Sequence, residues 1–239
     1  MNFKNLVFAS AAFHPERSGI LFNKKETLQR EEDYLFCLRQ LYRVVPKNFD
    51  IFIVDNSIYN SSSLQNKELR LFLDQKNVLY TKKTNNQKVK NIGVAELKEL
   101  FYLEQEVDFN SYSKVCYLTS RRFITNPYVF ERTEKLKKQA LLSNPDFIYL
   151  DGEVSISEKK GMFNDMFFSM KSETILQYIE YSKNQIENME KNMVSSENNL
   201  YNFVTEKNIK YEYLEFLGFL RYDYYRKSKS EIKHNYHFV

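Results

Sequence analysis

The sequence predicts an α/β fold in which a mainly parallel central sheet is flanked by helices. Apolar runs of strand length alternate with longer amphipathic segments along most of the chain, and this alternation is typical of parallel strands connected by helices. The 239 residues contain no internal repeat and no Gly/Ser-rich linker. We therefore expect a single domain.

Apolar runs that are rich in β-branched and aromatic residues identify the strands. The predicted strands are 6–13, 49–57, 78–83, 114–118 and 146–154, the last with a turn at Asp151-Gly152.

Segments with apolar residues at helical spacing fill the intervals between the strands. Residues 26–45 place Leu28, Leu35 and Leu38 on one helical face, and Pro46 ends the helix. The other predicted helices are the second part of 85–105, and 60–73, 126–142, 171–193 and 196–206.

The composition fits an ordinary globular protein that does not bind nucleic acid. The net charge is only +4 and the basic residues are scattered, whereas nucleic-acid-binding proteins concentrate positive charge on one face. No apolar run approaches the roughly 20 residues that span a bilayer, and the first residues lack the apolar core of a signal peptide. Cys37 and Cys116 lie in apolar surroundings, which favours buried thiols in a reducing cytoplasm over a disulfide.

Polar and charged side chains follow the predicted strands where a parallel sheet binds its ligands. In such sheets the ligand lies outside the carboxyl ends of the strands, at the point where the strand order reverses. The residues at these ends are Ala9, Ser10 and Ala11, then Asp55, Asn56 and Ser57, then Lys82 and Lys83, and finally Thr119, Ser120, Arg121 and Arg122.

The adjacent arginines Arg121 and Arg122 bring two fixed positive charges to one strand end. Burying both without an anion would be costly, because each desolvated charge carries a large penalty. They therefore reach solvent, pair with acidic side chains, or bind a phosphate through bidentate contacts.

Four segments, in this order, resemble the GT-A glycosyltransferases, most closely inverting family 2 and related bacterial polysaccharide enzymes. The segments are IFIVDNS (51–57), KNIGVAELKEL (90–100), KVCYLTSRRFITNPYVFE (114–131) and SSENNLY (195–201). The resemblance covers most of residues 5–225. It implies a GT-A-like fold with a nucleotide-binding half (about 1–125), an acceptor half (about 126–225) and a basic aromatic tail (226–239).

The same resemblance implies roles for individual residues. Asp55 would bind the nucleotide base, and Asn91 and Gly93 would belong to the segment that leads to the donor site. Glu197 would be the catalytic base that takes the proton from the acceptor hydroxyl. From the residues alone, Asp55 is also suited to a turn, and Glu197 to the first turn of a helix.

The metal motif of this family is missing at its expected place. Where relatives carry Asp-x-Asp, this chain has Thr119, Ser120 and Arg121, and hydroxyls and guanidiniums do not replace the anionic oxygens that a hard divalent cation needs. The resemblance to metal-independent members implies that Arg121 and Arg122 stabilise the leaving nucleoside diphosphate instead.

Further candidates come from the second half of the chain. Asp165 lies between apolar residues and either acts as a second catalytic carboxylate at the acceptor sugar or holds a loop. Arg221 is placed to reach the diphosphate. Mn²⁺ or Mg²⁺ stays open as a cofactor, with Asp151 or the pair His234 and His237 as ligands.

The first functional hypothesis is a glycosyltransferase that moves a sugar from a nucleotide-diphosphate donor to a glycan or lipid-linked acceptor with inversion. The acceptor would be a polysaccharide, a lipopolysaccharide or a glycoprotein. We expect a cytoplasmic protein whose basic tail is either a solvated surface or a peripheral contact with the inner membrane face.

Two other functional classes remain open. Loss of Asp-x-Asp favours a non-catalytic scaffold that binds sugar or a partner protein. A nucleotidyltransferase has a related sheet, but it needs a Gly-rich loop bearing Arg or Lys after the first strand, and ASAAFHPERSGI (9–20) has only a faint likeness to one.

Overall fold

The structure of the protein is a computed structural model. It describes residues 4–15, 23–82, 89–143, 147–148, 154–155, 162–214 and 217–220.

A seven-stranded sheet forms the centre of the molecule, in the order β10-β6-β9-β4-β1-β2-β3, and two short two-stranded sheets pair β11 with β5 and β7 with β8. The strands are β1 (Lys4–Ala11), β2 (Phe49–Asp55), β3 (Asn77–Tyr80), β4 (Tyr112–Thr119), β5 (Phe123–Ile124), β6 (Ala140–Ser143), β7 (Phe147–Ile148), β8 (Val154–Ser155), β9 (Asn164–Lys171), β10 (Tyr211–Leu214) and β11 (Phe219–Leu220).

The central sheet is mainly parallel, as predicted. Strand β9 runs antiparallel to its neighbours β4 and β6, and the other six strands share one direction. Strand β1 lies between β2 and β4. Strands β2 and β3 are added on one side of β1, and the chain then crosses to the other side of β1 to add β4. The carboxyl ends of β1 and β4 therefore flank the point where the strand order reverses.

Helices cover both faces of the sheet. They are α1 (Lys24–Val44), α2 (Lys67–Leu73), α3 (Ile92–Glu106), α4 (Tyr128–Glu134), α5 (Ser172–Asn192) and α6 (Ser196–Glu206). Successive side chains of a strand point to opposite faces, so Val7 and Ala9 of β1 pack with α1, α2 and α4, whereas Leu6 and Phe8 pack with α3, α5 and α6. Burying each Val, Leu or Phe contributes about 1.5–3 kcal/mol, and this makes β1 the anchor of both layers.

Helix α1 shows how local sequence sets an element's ends. The Asn23 side chain accepts a hydrogen bond from the Glu26 backbone, and the Glu26 carboxylate accepts one from the Asn23 backbone. This capping box satisfies two amide groups that would otherwise have no partner. Pro46 follows the end of the helix, so the predicted span of 26–45 is close to the observed one.

The helix predicted over 126–142 is wrong in its second half. The helix ends at Glu134, and β6 occupies residues 140–143. All four side chains of β6 are buried, because the strand lies between β9 and β10. This pairing with distant segments overrides the local preference.

The prediction missed β9, β10 and β11. In β9, Phe167 packs on one face of the sheet while Phe168 and Met170 pack on the other. A strand that is buried on both faces lacks the polar–apolar alternation that identifies strands in a sequence. The predicted strand 146–154 is a short antiparallel pair, β7 with β8, and its Asp151-Gly152 turn lies outside the described residues.

Both cysteines are buried free thiols, as the sequence predicts, and burial raises the pKa of Cys116 to about 11. Within the described part of the chain, the helices are all too short or too polar to cross a membrane.

Candidate functional site

A cleft lies at the carboxyl ends of β1, β2 and β4, and we call it the main cleft. Its empty space is about 920 Å³, counting the open mouth. Seven residues from the predicted strand ends line it together: Ser10, Ala11, Asn56, Ser57, Lys82, Thr119 and Arg121. The parallel sheet therefore brings these separate segments to one edge, as expected.

The remaining lining comes from loops and helices around that edge. The residues are Ala12 and Pro15 after β1, Arg30 and Tyr34 of α1, and Val89, Ile92, Ala95, Glu96 and Glu99 in and before α3.

Two side chains of α1 hold the loop that follows β1. The guanidinium of Arg30 donates from Nε to the Ala12 carbonyl at 2.8 Å and to the Phe13 carbonyl at 3.1 Å. The Tyr34 hydroxyl accepts the Ala12 amide at 2.9 Å. Sequence analysis missed both residues. Their spacing of four positions places the two side chains on the same face of the helix, and a charged residue beside a tyrosine on the buried face is a signal that could have been used.

Asp55 holds the same loop from the end of β2. Its carboxylate accepts the backbone amides of Phe13 at 2.7 Å and of Ser57 and Ile58 at 2.8 Å. Burial raises the pKa of Asp55, and these hydrogen bonds act against the rise. Asp55 is fully buried and is not part of the main-cleft lining, so its predicted contact with a nucleotide base stays a prediction.

A buried carboxylate, Glu31, connects two further loops. It contacts His14 Nε2 at 2.6 Å and accepts the backbone amides of Gln65 and Asn66. Burial raises the pKa of Glu31, but the hydrogen bonds from His14 and the two amides outweigh burial and lower it below the usual value. The loop after β1 is thus fixed to the segment before α2.

The end of β4 divides into supporting and cleft-lining residues. Ser120 is buried and donates its backbone amide and its hydroxyl to the Ser10 carbonyl, at 2.9 and 2.6 Å. Thr119 and Arg121 line the main cleft, whereas Arg122 does not. Only one of the two predicted guanidiniums therefore enters the cleft wall.

Ala9 also differs from its predicted place. It is fully buried in the core on the α1 face of the sheet, so it supports the cleft from behind and does not contact a ligand with its side chain.

Asn91 and Gly93 join α3 to the turn between α5 and α6. The Asn91 side chain accepts the Gly93 amide and donates to the carbonyls of Met189 and Val194 at 2.9 and 2.7 Å. A Cβ atom at Gly93 would lie 2.6 Å from the backbone nitrogen of Ser196. Both residues therefore act in packing, and their predicted part in donor binding stays a prediction.

Glu197 lies in the first turn of α6, which Ser195 caps. Glu197 is partly buried and does not line the main cleft. The adjacent hydroxyl of Ser196 donates to Glu96 at 3.4 Å, and Glu96 is a cleft-lining carboxylate that sequence analysis missed. The predicted catalytic role of Glu197 stays a prediction.

The other predicted site residues have no described side chain. Asp165 belongs to β9, but its side chain is not described, and Asp151, Arg221, His234 and His237 lie outside the described residues. Among the residues that the structure describes, no group of three His, Cys, Asp or Glu side chains could hold a metal ion. The residues at the end of β4, Thr119, Ser120 and Arg121, supply two hydroxyls and a cation, which do not fit Mn²⁺ or Mg²⁺.

Glu99 is the most deeply buried side chain of the main-cleft lining. It has no exposed surface, and within the described residues neither carboxyl oxygen has a hydrogen-bond partner. Burial raises its pKa well above the usual value, the charges of Glu96 and Asp55 add to the rise, and hydrogen-bonding interactions with the side chains of Ser10 and Asn56 lower it. These two side chains lie near the carboxyl group, but their geometry falls short of a full hydrogen bond. No residue pattern in the sequence distinguishes this glutamate from others in α3.

Comparisons with known proteins agree with this architecture. No family model and no curated protein matches the sequence, but solved structures do. A 4-diphosphocytidyl-2C-methyl-D-erythritol synthase from Anaerococcus prevotii aligns with a TM-score of 0.55 and 11% identity over 96% of both chains. A cytidylyltransferase from Leptospira borgpetersenii aligns with a TM-score of 0.54 and 10% identity, over 100% of this chain and 89% of that one.

A third structure, a protein described as a candidate nucleotide-diphospho-sugar transferase from Desulfovibrio desulfuricans, aligns with a TM-score of 0.51 and 8% identity over 90% of this chain and 80% of that one. At such identities the likeness shows the fold alone. The chain has the GT-A-like fold that nucleotidyltransferases and nucleotide-diphospho-sugar transferases share, and the likeness does not single out inverting family 2.

The close approach at Gly93 makes a stability prediction. Gly93→Ala is expected to lower the free energy of unfolding by about 1–3 kcal/mol, because the new methyl group meets the Ser196 backbone. Denaturant unfolding would measure the loss. Gln105→Ala, at an exposed position of the same helix, serves as the control and should change stability by less than about 0.5 kcal/mol. Equal stability of the two variants would contradict the close contact.

The buried carboxyl of Glu99 makes a pH prediction. Its pKa in the folded protein lies above the ordinary value of 4.5, so the unfolded chain loses this proton at a lower pH than the folded protein does. The free energy of unfolding therefore falls as pH rises from about 4.5 to the pKa of the folded state. Glu99→Gln removes this loss. The stability difference between variant and wild type should therefore grow with pH above about 4.5, by up to about 1.4 kcal/mol per pH unit.

Urea unfolding at a series of pH values would measure that difference. Glu104→Gln, on the same helix in a partly exposed ion pair with Lys183, is the control and should follow the wild-type profile. Parallel profiles for wild type and Glu99→Gln would contradict the raised pKa.

Proposed function

We propose that the protein is a transferase that uses a nucleotide-sugar donor, and that it transfers the sugar to a glycan or lipid-linked acceptor. The observation that carries the proposal is the position of Arg121. This guanidinium lines the main cleft beside Thr119, at the same sheet edge as Ser10 and Asn56. The fold, shared with nucleotidyltransferases and nucleotide-diphospho-sugar transferases, supports a nucleotide as the ligand at this edge.

The lining divides into regions with different chemistry. Arg121 and Lys82 supply positive charge, which suits the phosphates of a nucleoside diphosphate. Val89, Ile92 and Ala95 supply an apolar wall, which suits a flat aromatic base.

The proposed reaction is a displacement at the anomeric carbon. An acceptor hydroxyl forms the new glycosidic bond, the bond between the sugar and the diphosphate breaks, and the nucleoside diphosphate departs with its electron pair. Arg121 stabilises the negative charge that develops on the leaving oxygen.

A carboxylate takes the proton of the acceptor hydroxyl. Glu197 and Asp165 are the sequence candidates. Of the two carboxyl groups in the described cleft lining, Glu96 is partly exposed and is a further candidate, whereas Glu99 is fully buried.

Nucleotidyl transfer is the second candidate, because two of the three structural neighbours are named for cytidylyl transfer. That reaction joins a sugar phosphate to a nucleoside triphosphate and releases pyrophosphate. The segment at and after the end of β1, ASAAFHPERSGI (9–20), contains one glycine, Gly19, and one arginine, Arg17. This is only a faint likeness to the Gly-rich basic loop that the reaction needs, which favours sugar transfer over this alternative.

The proposal predicts that Arg121→Ala weakens binding of nucleoside diphosphates by about 10- to 100-fold, the value of one charge-assisted contact with phosphate. Calorimetric titration with UDP, CDP, GDP and ADP would measure the affinities. Arg39→Ala is the matched control, since Arg39 is half-exposed and pairs with Glu68 on the surface. Unchanged affinity in Arg121→Ala would remove the proposed phosphate contact.

Product analysis separates the candidate functions. The protein is incubated with a panel of nucleotide sugars, with and without EDTA, and separately with nucleoside triphosphates and sugar 1-phosphates. Release of nucleoside diphosphate that survives EDTA is the expected result. Pyrophosphate release would favour nucleotidyl transfer, and tight binding without any turnover would favour a scaffold.

A further inference from the structure

Glu99 is a buried acid whose partner is missing from the described protein. Both of its carboxyl oxygens lack a hydrogen-bond partner among the described residues, although buried polar groups in folded proteins are nearly always paired. Its neighbourhood adds negative charge from Glu96 and Asp55. Packing and stability do not account for such a group, because an apolar side chain of similar size would fill the position at lower cost.

The position of Glu99 indicates a ligand as the missing partner. Glu99 belongs to the main-cleft lining together with Ser10 and Asn56, and these two side chains lie close enough to affect its ionisation. Since Glu99 is the most deeply buried of the lining side chains, the three residues form what we call the polar floor of the cleft.

Apolar residues from two different elements flank this polar floor. Val89, Ile92 and Ala95 come from α3 and the segment before it, whereas Ala11 ends β1 and Ala12 begins the loop that follows. A planar heteroaromatic ring combines apolar faces with a polar edge, and this combination matches a cleft with apolar sides and a polar floor.

We infer that Glu99, with Ser10 and Asn56, reads the hydrogen-bonding edge of the nucleobase and thereby sets which nucleotide the protein accepts. The inference rests on the proposed function, since it names the base-reading group of the same cleft. A carboxyl group accepts hydrogen bonds from ring N–H or amino groups of the base, and when protonated it also donates one to a ring nitrogen or carbonyl oxygen. Burial raises the pKa of Glu99, which favours the protonated, hydrogen-bond-donating form.

A site built to hydrogen-bond a ligand group rejects analogues that leave its buried polar atoms unpaired. Wild-type protein should therefore bind one nucleoside diphosphate of the set UDP, CDP, GDP and ADP at least about tenfold more tightly than the weakest of the set. In Glu99→Leu this preference should fall below about threefold, because a leucine contacts every base alike.

Affinity for ribose 5-phosphate should stay the same in Glu99→Leu, because this ligand has no base. Glu104→Leu is the matched control: it makes the same substitution in the same helix, at a residue that pairs with Lys183 and lies outside the cleft lining. It should keep the wild-type preference. Thermal unfolding checks that both variants fold, and Glu99→Leu is expected to melt no lower than wild type because it removes an unpartnered buried carboxyl.

The outcomes separate this inference from the function on which it rests. If nucleoside diphosphates bind but Glu99→Leu keeps the wild-type preference, or if the wild type shows no preference, Glu99 does not read the base and the proposed function stands. If no nucleoside diphosphate binds to the wild type, the proposed function fails, and the base-reading role fails with it.

Discussion

The start of the loop after β1, residues 12–15, is the constraint on which the rest of the site depends, because it borders the main cleft and these described residues form neither helix nor strand. Its backbone is held from two sides. Arg30 binds the carbonyls of Ala12 and Phe13, and Asp55 binds the Phe13 amide. Both anchoring side chains are buried, where hydrogen bonds that involve charged groups are strong and where an unpaired backbone group would be costly. The loop therefore presents a fixed surface to a ligand.

A second junction positions the opposite side of the cleft. Asn91 caps α3 and binds two carbonyls at the turn between α5 and α6, and the absence of a side chain at Gly93 lets the start of α6 approach closely. At this junction the Ser196 hydroxyl donates a hydrogen bond to Glu96. Glu197 follows Ser196 in the first turn of α6. Residues that resemble the donor-site motif of a glycosyltransferase thus act here through packing, and they set the orientation of the carboxylates of α3.

The buried carboxyl groups in and around the cleft differ in their effect on the stability of the fold. Asp55 and Glu31 are buried acids whose oxygens are satisfied by backbone amides, so they strengthen the loops that they join. Glu99 is a buried acid without such partners among the described residues. Strained or unsatisfied groups are concentrated at functional sites, where selection for function outweighs selection for stability. This contrast is the physical reason why the proposed ligand-recognition role falls on Glu99, whereas the observed contacts of Asp55 and Glu31 hold loops together.

The sequence by itself determined the α/β class, the strands β1 to β4, the helices α1, α3, α5 and α6, and the convergence of Ser10, Asn56, Thr119 and Arg121 at one sheet edge. These features follow from local periodicity and from the rule that parallel strands end at the same edge. Tertiary structure alone decided that residues 140–143 form a strand, that β9 enters the sheet antiparallel, and that Arg121 but not Arg122 lines the cleft. It also decided that Asp55 faces backbone amides while the Glu99 carboxyl lacks a full hydrogen bond from the described residues. Pairing between distant segments and the burial of individual carboxyl groups depend on contacts that no local pattern encodes.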